Sequence, residues 1–174
     1  MTAVKNIYYL ISINCYLMKT IISPAEAVSL GWGTGEYVSP EAVSESDIAA
    51  ASRRYIEPVI GSKLAAALCE GRYEELRAEY VAPALAMYVR VSMQPSMDIR
   101  SGQAGSVVQS GQYADPASAE ARRAALHSLR SRAGSLLRRL SDRLDAAGAS
   151  FPEYVPEQNI LKRCCADGGI VQVF

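Results

Sequence analysis

The chain has 174 residues, and its 18 Lys+Arg balance 18 Asp+Glu to a formal net charge of zero. At about 100–200 residues per domain this is one domain, long enough to bury a core without staples. Apolar types at 49% and charged types at 21% exclude a disordered tail and a protein built on one broad basic surface.

The first segment, residues 7–18, is an apolar run behind Lys5. It is too short to span a bilayer. Three readings stay open for it: a weak signal-peptide core lacking an A-x-A cleavage site, a packed N-terminal strand, or untranslated sequence before a start at Met18-Lys19-Thr20. We therefore divide the chain into an N-terminal extension (1–19), a helical domain (20–154) and a C-terminal tail (155–174).

Ser23-Pro24-Ala25-Glu26 is a helix start with the parts of a capping box, and Gly31 stops the helix soon after. Gly31-Trp32-Gly33-Thr34-Gly35 is not a dinucleotide fingerprint, because Glu36 stands where the third glycine is needed. It reads as a turn with Trp32 as packing anchor. Ser39-Pro40-Glu41 and Ser44-x-x-Asp47 offer two further starts. Ile48, Ala51, Tyr55, Ile56 and Val59 then follow helical spacing. Pro58 should end or kink that helix, with Gly61 as punctuation. Ser62 should cap a short helix over 63–70, stopped by Gly71.

A third helix is expected over 73–93. Its broad apolar stripe of Leu76, Tyr80, Val81, Leu85, Met87, Tyr88 and Val91 suits a central position, and Pro83 should bend it. Tyr55-Ile56-Glu57-Pro58 and Tyr80-Val81-Ala82-Pro83 echo each other, too briefly to define a repeat. Residues 95–116 are rich in Gly, Ser and Gln and read as a long exposed loop, with room for a hairpin around 106–109. Asp115-Pro116 opens the longest helix, to about Ala146, with Leu126, Leu129, Ala133, Leu136, Leu137, Leu140 and Leu144 recurring at three and four. At about 1.5 Å per residue it reaches roughly 45 Å, more than the core of one domain needs. Phe151-Pro152-Glu153-Tyr154 leaves it, and residues 170–174 form an apolar strand, packed on its own domain or added to another chain.

No constellation points to catalysis. Cys15, Cys69, Cys164 and Cys165 form no C-x-x-C pair, and His127, the single histidine, lies in the Arg-rich helix. The cysteines read as reduced thiols, and the histidine as a solvated helix residue. Glu74, Glu75 and Glu79 have helical spacing but no histidine nearby, so they read as a solvated face. No catalytic, cofactor-binding or metal-binding residue is assigned.

The charges are segregated. Between residues 36 and 80 nine acids face five bases, a net of −4; between 118 and 146 seven arginines face three acids, a net of +4. The arginines are Arg122, Arg123, Arg130, Arg132, Arg138, Arg139 and Arg143. With no aromatic interleaved they make no stacking platform for single strands. Head-to-tail contact between copies, acidic face to basic face, is one reading; a duplex passing without base readout is another; an ordinary solvated helix is the third.

One wider pattern stands out. A helix carrying Tyr-Ile-x-Pro and Gly (47–61) is followed by a short helix, and then by a long one carrying Tyr-Val-x-Pro (73–91). Next come a Gly/Ser/Gln loop ending in Asp-Pro-Ala-Ser, a long final helix, and Phe-Pro-Glu-Tyr. This order resembles the head–tail connector, or adaptor, proteins of tailed bacteriophages, in the form found in prophages of gut Bacteroides-type bacteria. The resemblance covers about residues 20–154.

It implies a small helical bundle with an extended loop; with the elements read above, the expected fold is mainly α, a bundle of four to five helices with a long exposed loop or hairpin and a C-terminal extended strand. It implies no enzyme activity and no cofactor. Copies would form a ring, commonly a dodecamer, beneath the portal protein at the virion neck, assembled in the host cytoplasm without a membrane. The ring would extend the DNA channel, pass double-stranded DNA without sequence readout, and dock a neck or tail completion protein. By the family pattern Tyr55, Pro58, Gly61, Tyr80 and Pro83 shape the bundle, and the 95–116 loop and the tail are contact elements. The alternative is a small helical nucleic-acid-binding or regulatory protein using the Arg-rich helix.

Overall fold

In a computed structural model of the chain, residues 19–33, 36–102, 105–108 and 117–162 are described; the apolar run at 7–18 and the strand expected at 170–174 lie outside them. The described part is a mainly α bundle of five helices. Helix α1 is Pro24–Gly31. Helix α2 joins Glu45–Ala51, a π-helical stretch Ser52–Ile56 and Glu57–Ile60, with right-handed backbone at both junctions. Helix α3 is Ser62–Cys69. Helix α4 joins Glu74–Leu76, a π-helical stretch Arg77–Val81 and Ala82–Asp98. Helix α5 is Ala119–Ala146.

The starts follow local chemistry. Ser23 Oγ accepts from Glu26 N at 3.2 Å while the Glu26 carboxylate accepts from Ser23 N, so two otherwise unpaired amides are satisfied. Ser44 and Asp47 repeat the box at α2, and Pro40–Ala42 is only a 3-10 turn ahead of it. At α3 the expected Ser62 cap is corrected. Gly61 is the capping residue, with φ +85 and ψ 152, and Ser62 is already helical. That backbone region is essentially closed to side chains. Gly71, at φ +84, stops the helix as expected.

The prolines act differently from the simple expectation. Each follows a five-residue π stretch and one further residue. Glu57 N donates to the Ser52 carbonyl and Ala82 N to the Arg77 carbonyl, each five residues back. The wider turn takes the preceding carbonyls out of the α register, in which a proline ring strikes the carbonyl four residues back. Both helices therefore run through their prolines. The Tyr-x-x-Pro echo is one backbone device used twice.

Two boundaries move. Helix α4 continues past the expected end at Met93, through Pro95, to Asp98. A proline in the last turns removes few bonds, and Ser96 Oγ donates to the Met93 carbonyl at 2.7 Å. The hairpin starts earlier than expected: Ile99–Gly102 (β1) pairs antiparallel with Gly105–Val108 (β2), Ile99 opposite Val108. Helix α5 begins at Ala119, where Ser118 Oγ caps the Ala121 amide at 3.1 Å; the expected start at Asp115-Pro116 lies outside the described residues.

Helix α4 is the central element, packed by α1, α2 and α5. Residues 84–89 are buried without interruption. Ile48, Ile56 and Val59 of α2, Leu64 and Leu68 of α3 and Leu137, Leu140 and Leu144 of α5 complete the core. Tyr55 stacks on Tyr88 with centroids 4.2 Å apart. The Trp32 ring is buried, with the Arg90 guanidinium over it. Arg77 meets Glu26 and Ala86 meets Gly31, so α1 runs parallel to α4. Tyr73 meets Phe151 and Glu79 meets Arg139, so α5 runs antiparallel. Among the described residues no helix is long and apolar enough to cross a membrane.

Candidate functional site: the arginine helix and its anchorage

The apolar stripe of α5 places its arginines. Ala133 is its first fully buried residue; ahead of it, Leu126 and Leu129 are half-buried and pack on the core from the edge. The N-terminal half of α5 therefore lies along the end of the bundle with most of its surface free.

The seven arginines fall into separate groups. Arg139 and Arg143 are exposed but lie against the surface of the bundle. Arg139 bonds Glu79 at 3.0 Å and lies 4.8 Å over the Tyr80 ring, and Arg143 covers the same ring at 5.8 Å. Tyr80 is thus a platform for two guanidiniums, each worth about 0.5–1 kcal/mol at such a site. Arg122 is half-buried, with its Nε hidden from solvent. Arg138 is exposed, beside the buried Tyr88. Arg123, Arg130 and Arg132 are exposed and form no ion pair among the described residues.

The other expected residues are mainly structural. Tyr55 and Tyr80 hold ring contacts, Pro58 and Pro83 follow the π turns, and Gly61 supplies the left-handed corner. Glu74, Glu75 and Glu79 do not converge: Glu74 binds Arg77 at 2.7 and 2.8 Å, Glu79 binds Arg139, and Glu75 is exposed. His127 is exposed on α5. The half-buried Cys69 thiol is pushed up by burial first, then by Glu57 and Glu70, which disfavours the nucleophilic thiolate. No group of three His, Cys, Asp or Glu residues converges among the described residues.

The segment after α5 is the anchorage that sequence spacing does not reveal. Phe151 packs edge-on against Tyr73, centroids 5.2 Å apart. Tyr73 holds a left-handed backbone, φ 57, at the start of α4, and its hydroxyl donates to Glu153 at 2.7 Å. That bond, aided by Arg72, holds the Glu153 carboxyl below its usual range, and it raises the Tyr73 phenol against the opposing charge of Arg72. Tyr154 donates to Asp145 at 3.1 Å. The fully buried Asn159 donates to Ser141 at 2.8 Å and to Tyr154 at 3.0 Å, and its carbonyl accepts from Leu161 N. Residues 155–162 are thereby fixed to α5 within the expected tail. The Phe-Pro-Glu-Tyr motif ties the end of α5 to the start of α4.

Two shallow concavities lie among the described residues. One, of about 250 Å³, lies among Tyr73, Tyr80, Arg143 and Phe151. The other, about 340 Å³, lies between α2 and α4 at Asp47, Arg54, Met93 and Ser96. Ser150 and Glu75 share the first and Ser92, Ser96 and Asp47 the second, but in neither does one of these serines hydrogen-bond the carboxylate.

Fold and surface together define a class: a small mainly α bundle carrying a short hairpin and a basic helix end that its own core leaves free. Residues 43–163 match DUF6712, a family of unknown function, and the chain belongs to that family. The match runs from just ahead of α2 to just past the Asn159 anchorage. No curated protein and no solved structure matches the chain.

Proposed function

We propose that this protein is a non-enzymatic structural component of a phage or prophage: a head–tail connector whose copies form a ring between the portal protein and the tail. The observation that carries the reading is the free end of the bundle. There α5 has no fully buried residue before Ala133, so one chain leaves a surface that its own core does not use. The order of helices, Tyr-x-x-Pro turns, hairpin and Phe-Pro-Glu-Tyr anchorage supports it, being the order in which the connector resemblance lies. The ring extends the DNA channel at the virion neck, passes duplex DNA without reading bases, and docks the next neck or tail protein. It needs no cofactor and no membrane.

The test is electron microscopy of the full chain mixed with a phage portal protein. A ring seated on the portal, twelve-fold as commonly in such necks, is the expected result. A chain that neither binds the portal nor self-associates overturns the reading. Arg123, Arg130 and Arg132, free of carboxylates, also suit a second reading, a small nucleic-acid-binding or regulatory protein. Steeply salt-dependent duplex binding by the isolated chain would favour it.

A further inference from the structure

We propose that the free basic half of α5 docks, head to tail, on the acidic N-terminal end of α2 in a second copy of the chain. The inference rests on the ring reading above and assigns its subunit contact.

The fold divides the charges into those already satisfied and those left over. On the basic side Arg139 is taken by Glu79, and Arg143 lies on Tyr80. On the acidic side Arg77 holds Glu26 and Glu74, Arg72 holds Glu70 and Glu153, and Arg90 holds Glu36. Several charges remain without an ion pair among the described residues, Arg138, Glu75, Glu120 and Asp142 among them; the contact uses the two groups that lie at one end of the bundle. Arg123, Arg130 and Arg132 are exposed and without ion pairs, as are Glu41 and Glu45, and Asp47 bonds only within its own Ser44 cap. No ion pair joins the two groups within one chain.

Both groups sit at the same level of the bundle. Helix α5 runs antiparallel to α4 with Arg139 beside Glu79. Equal rise along both helices brings Arg130 to the level of Tyr88 and Arg123 to that of Pro95. Helix α2 is also antiparallel, with Tyr55 on Tyr88, and Asp47 shares a concavity with Ser96. Opposite charges at one height let neighbouring copies join by rotation with little rise. That is the condition for a closed ring over an open filament. Arg53 and Arg54 bound the acidic end on the α2 side, which limits the patch to the first turn of the helix and the 3-10 turn before it.

Rim charges of this kind are salt-sensitive and set register more than affinity. The test is sedimentation velocity of the full chain at low and physiological ionic strength, with two charge-reversed variants. One carries R123E, R130E and R132E; the other carries E41R and E45R. Circular dichroism checks that each is folded. The wild type should associate at low salt and lose the fast species as salt rises. Each variant alone places like charges across the contact and should stay monomeric. Mixed in equal amounts, the two restore both kinds of contact and should assemble again.

A wild type that associates while both variants associate equally well overturns this contact and leaves the ring reading standing. A wild type that stays monomeric at low salt, alone and with portal, overturns both. Variants that stay monomeric when mixed also overturn the contact. So does a monomeric wild type that binds duplex DNA with a salt slope lost in the arginine variant, which assigns those arginines to phosphate.

Discussion

Tyr73 shows how one residue can hold two helices. Its left-handed backbone is costly for a tyrosine, of order 1–3 kcal/mol, and it is held there by Phe151 against the ring and Glu153 on the hydroxyl. The same contact makes the fold acid-sensitive. The Glu153 carboxyl is lowered chiefly by the Tyr73 hydroxyl, Glu74 by Arg77 and Glu36 by Arg90. A carboxylate lowered in the folded state contributes its stability above the unfolded value, about 4.3 for glutamate, and loses it as pH falls through the folded value. Urea midpoints should therefore hold steady from neutral pH to about 5 and fall below about 4.3. Glu153→Gln keeps an acceptor for Tyr73 but loses the charge beside Arg72. Its midpoint should be lower at neutral pH, and the acid-induced fall smaller than in the wild type. An unchanged acid profile would remove Glu153 from this role.

At the scale of elements, glycines test the packing of α1 on α4 and the corner between α2 and α3. A Cβ on Gly31 would come within 2.9 Å of the Ala86 carbonyl oxygen. That oxygen belongs to the backbone of the central helix, so Gly31→Ala should cost about 1–3 kcal/mol by overpacking. Gly61→Ala should cost a similar ~1–3 kcal/mol through its backbone. Gly134 of α5 has open space around its Cβ position. Gly134→Ala should instead stabilise by up to about 1 kcal/mol through helix propensity. Chemical denaturation of the three variants gives the order; a neutral Gly31→Ala would mean the α1–α4 contact is looser than described. These elements differ in how far they were legible. The Ser23 and Ser44 boxes and the apolar stripes of α2, α4 and α5 are local patterns, and they stand in the structure. The π turns were visible only as the Tyr-x-x-Pro echo, because a single wider turn does not disturb a stripe enough to mark itself. The ends at Asp98 and Ser118 turn on individual hydroxyl bonds to backbone. Tyr73 with Glu153 joins positions far apart in the chain, which no spacing rule reaches.

For the whole molecule, zero net charge is a sum over charges with different uses. Of the acids between residues 36 and 80, Glu36, Glu70, Glu74 and Glu79 meet arginines of their own chain, while Glu41, Glu45 and Asp47 gather at one end, level with Arg123 and Arg130 of α5. The core and the free end are therefore separable, and stability can be used to separate them. For a chain that does not associate, the melting temperature should not depend on protein concentration. Association should raise it by mass action, because a neighbour binds the folded chain and not the unfolded one. The wild type should melt at a temperature that rises with protein concentration at low ionic strength, and the rise should shrink as salt screens the rim charges. The R123E, R130E and R132E chain should melt at one temperature across that range, close to the dilute wild-type value, since those side chains are exposed and unpaired in the single chain. Differential scanning calorimetry over a hundredfold range of concentration reads both quantities. A melting temperature of the wild type that does not move with concentration would mean that the free end of α5 binds no second copy. A variant that melts well below the dilute wild type would mean that these arginines hold the fold itself, and that the division between core and contact surface is drawn in the wrong place.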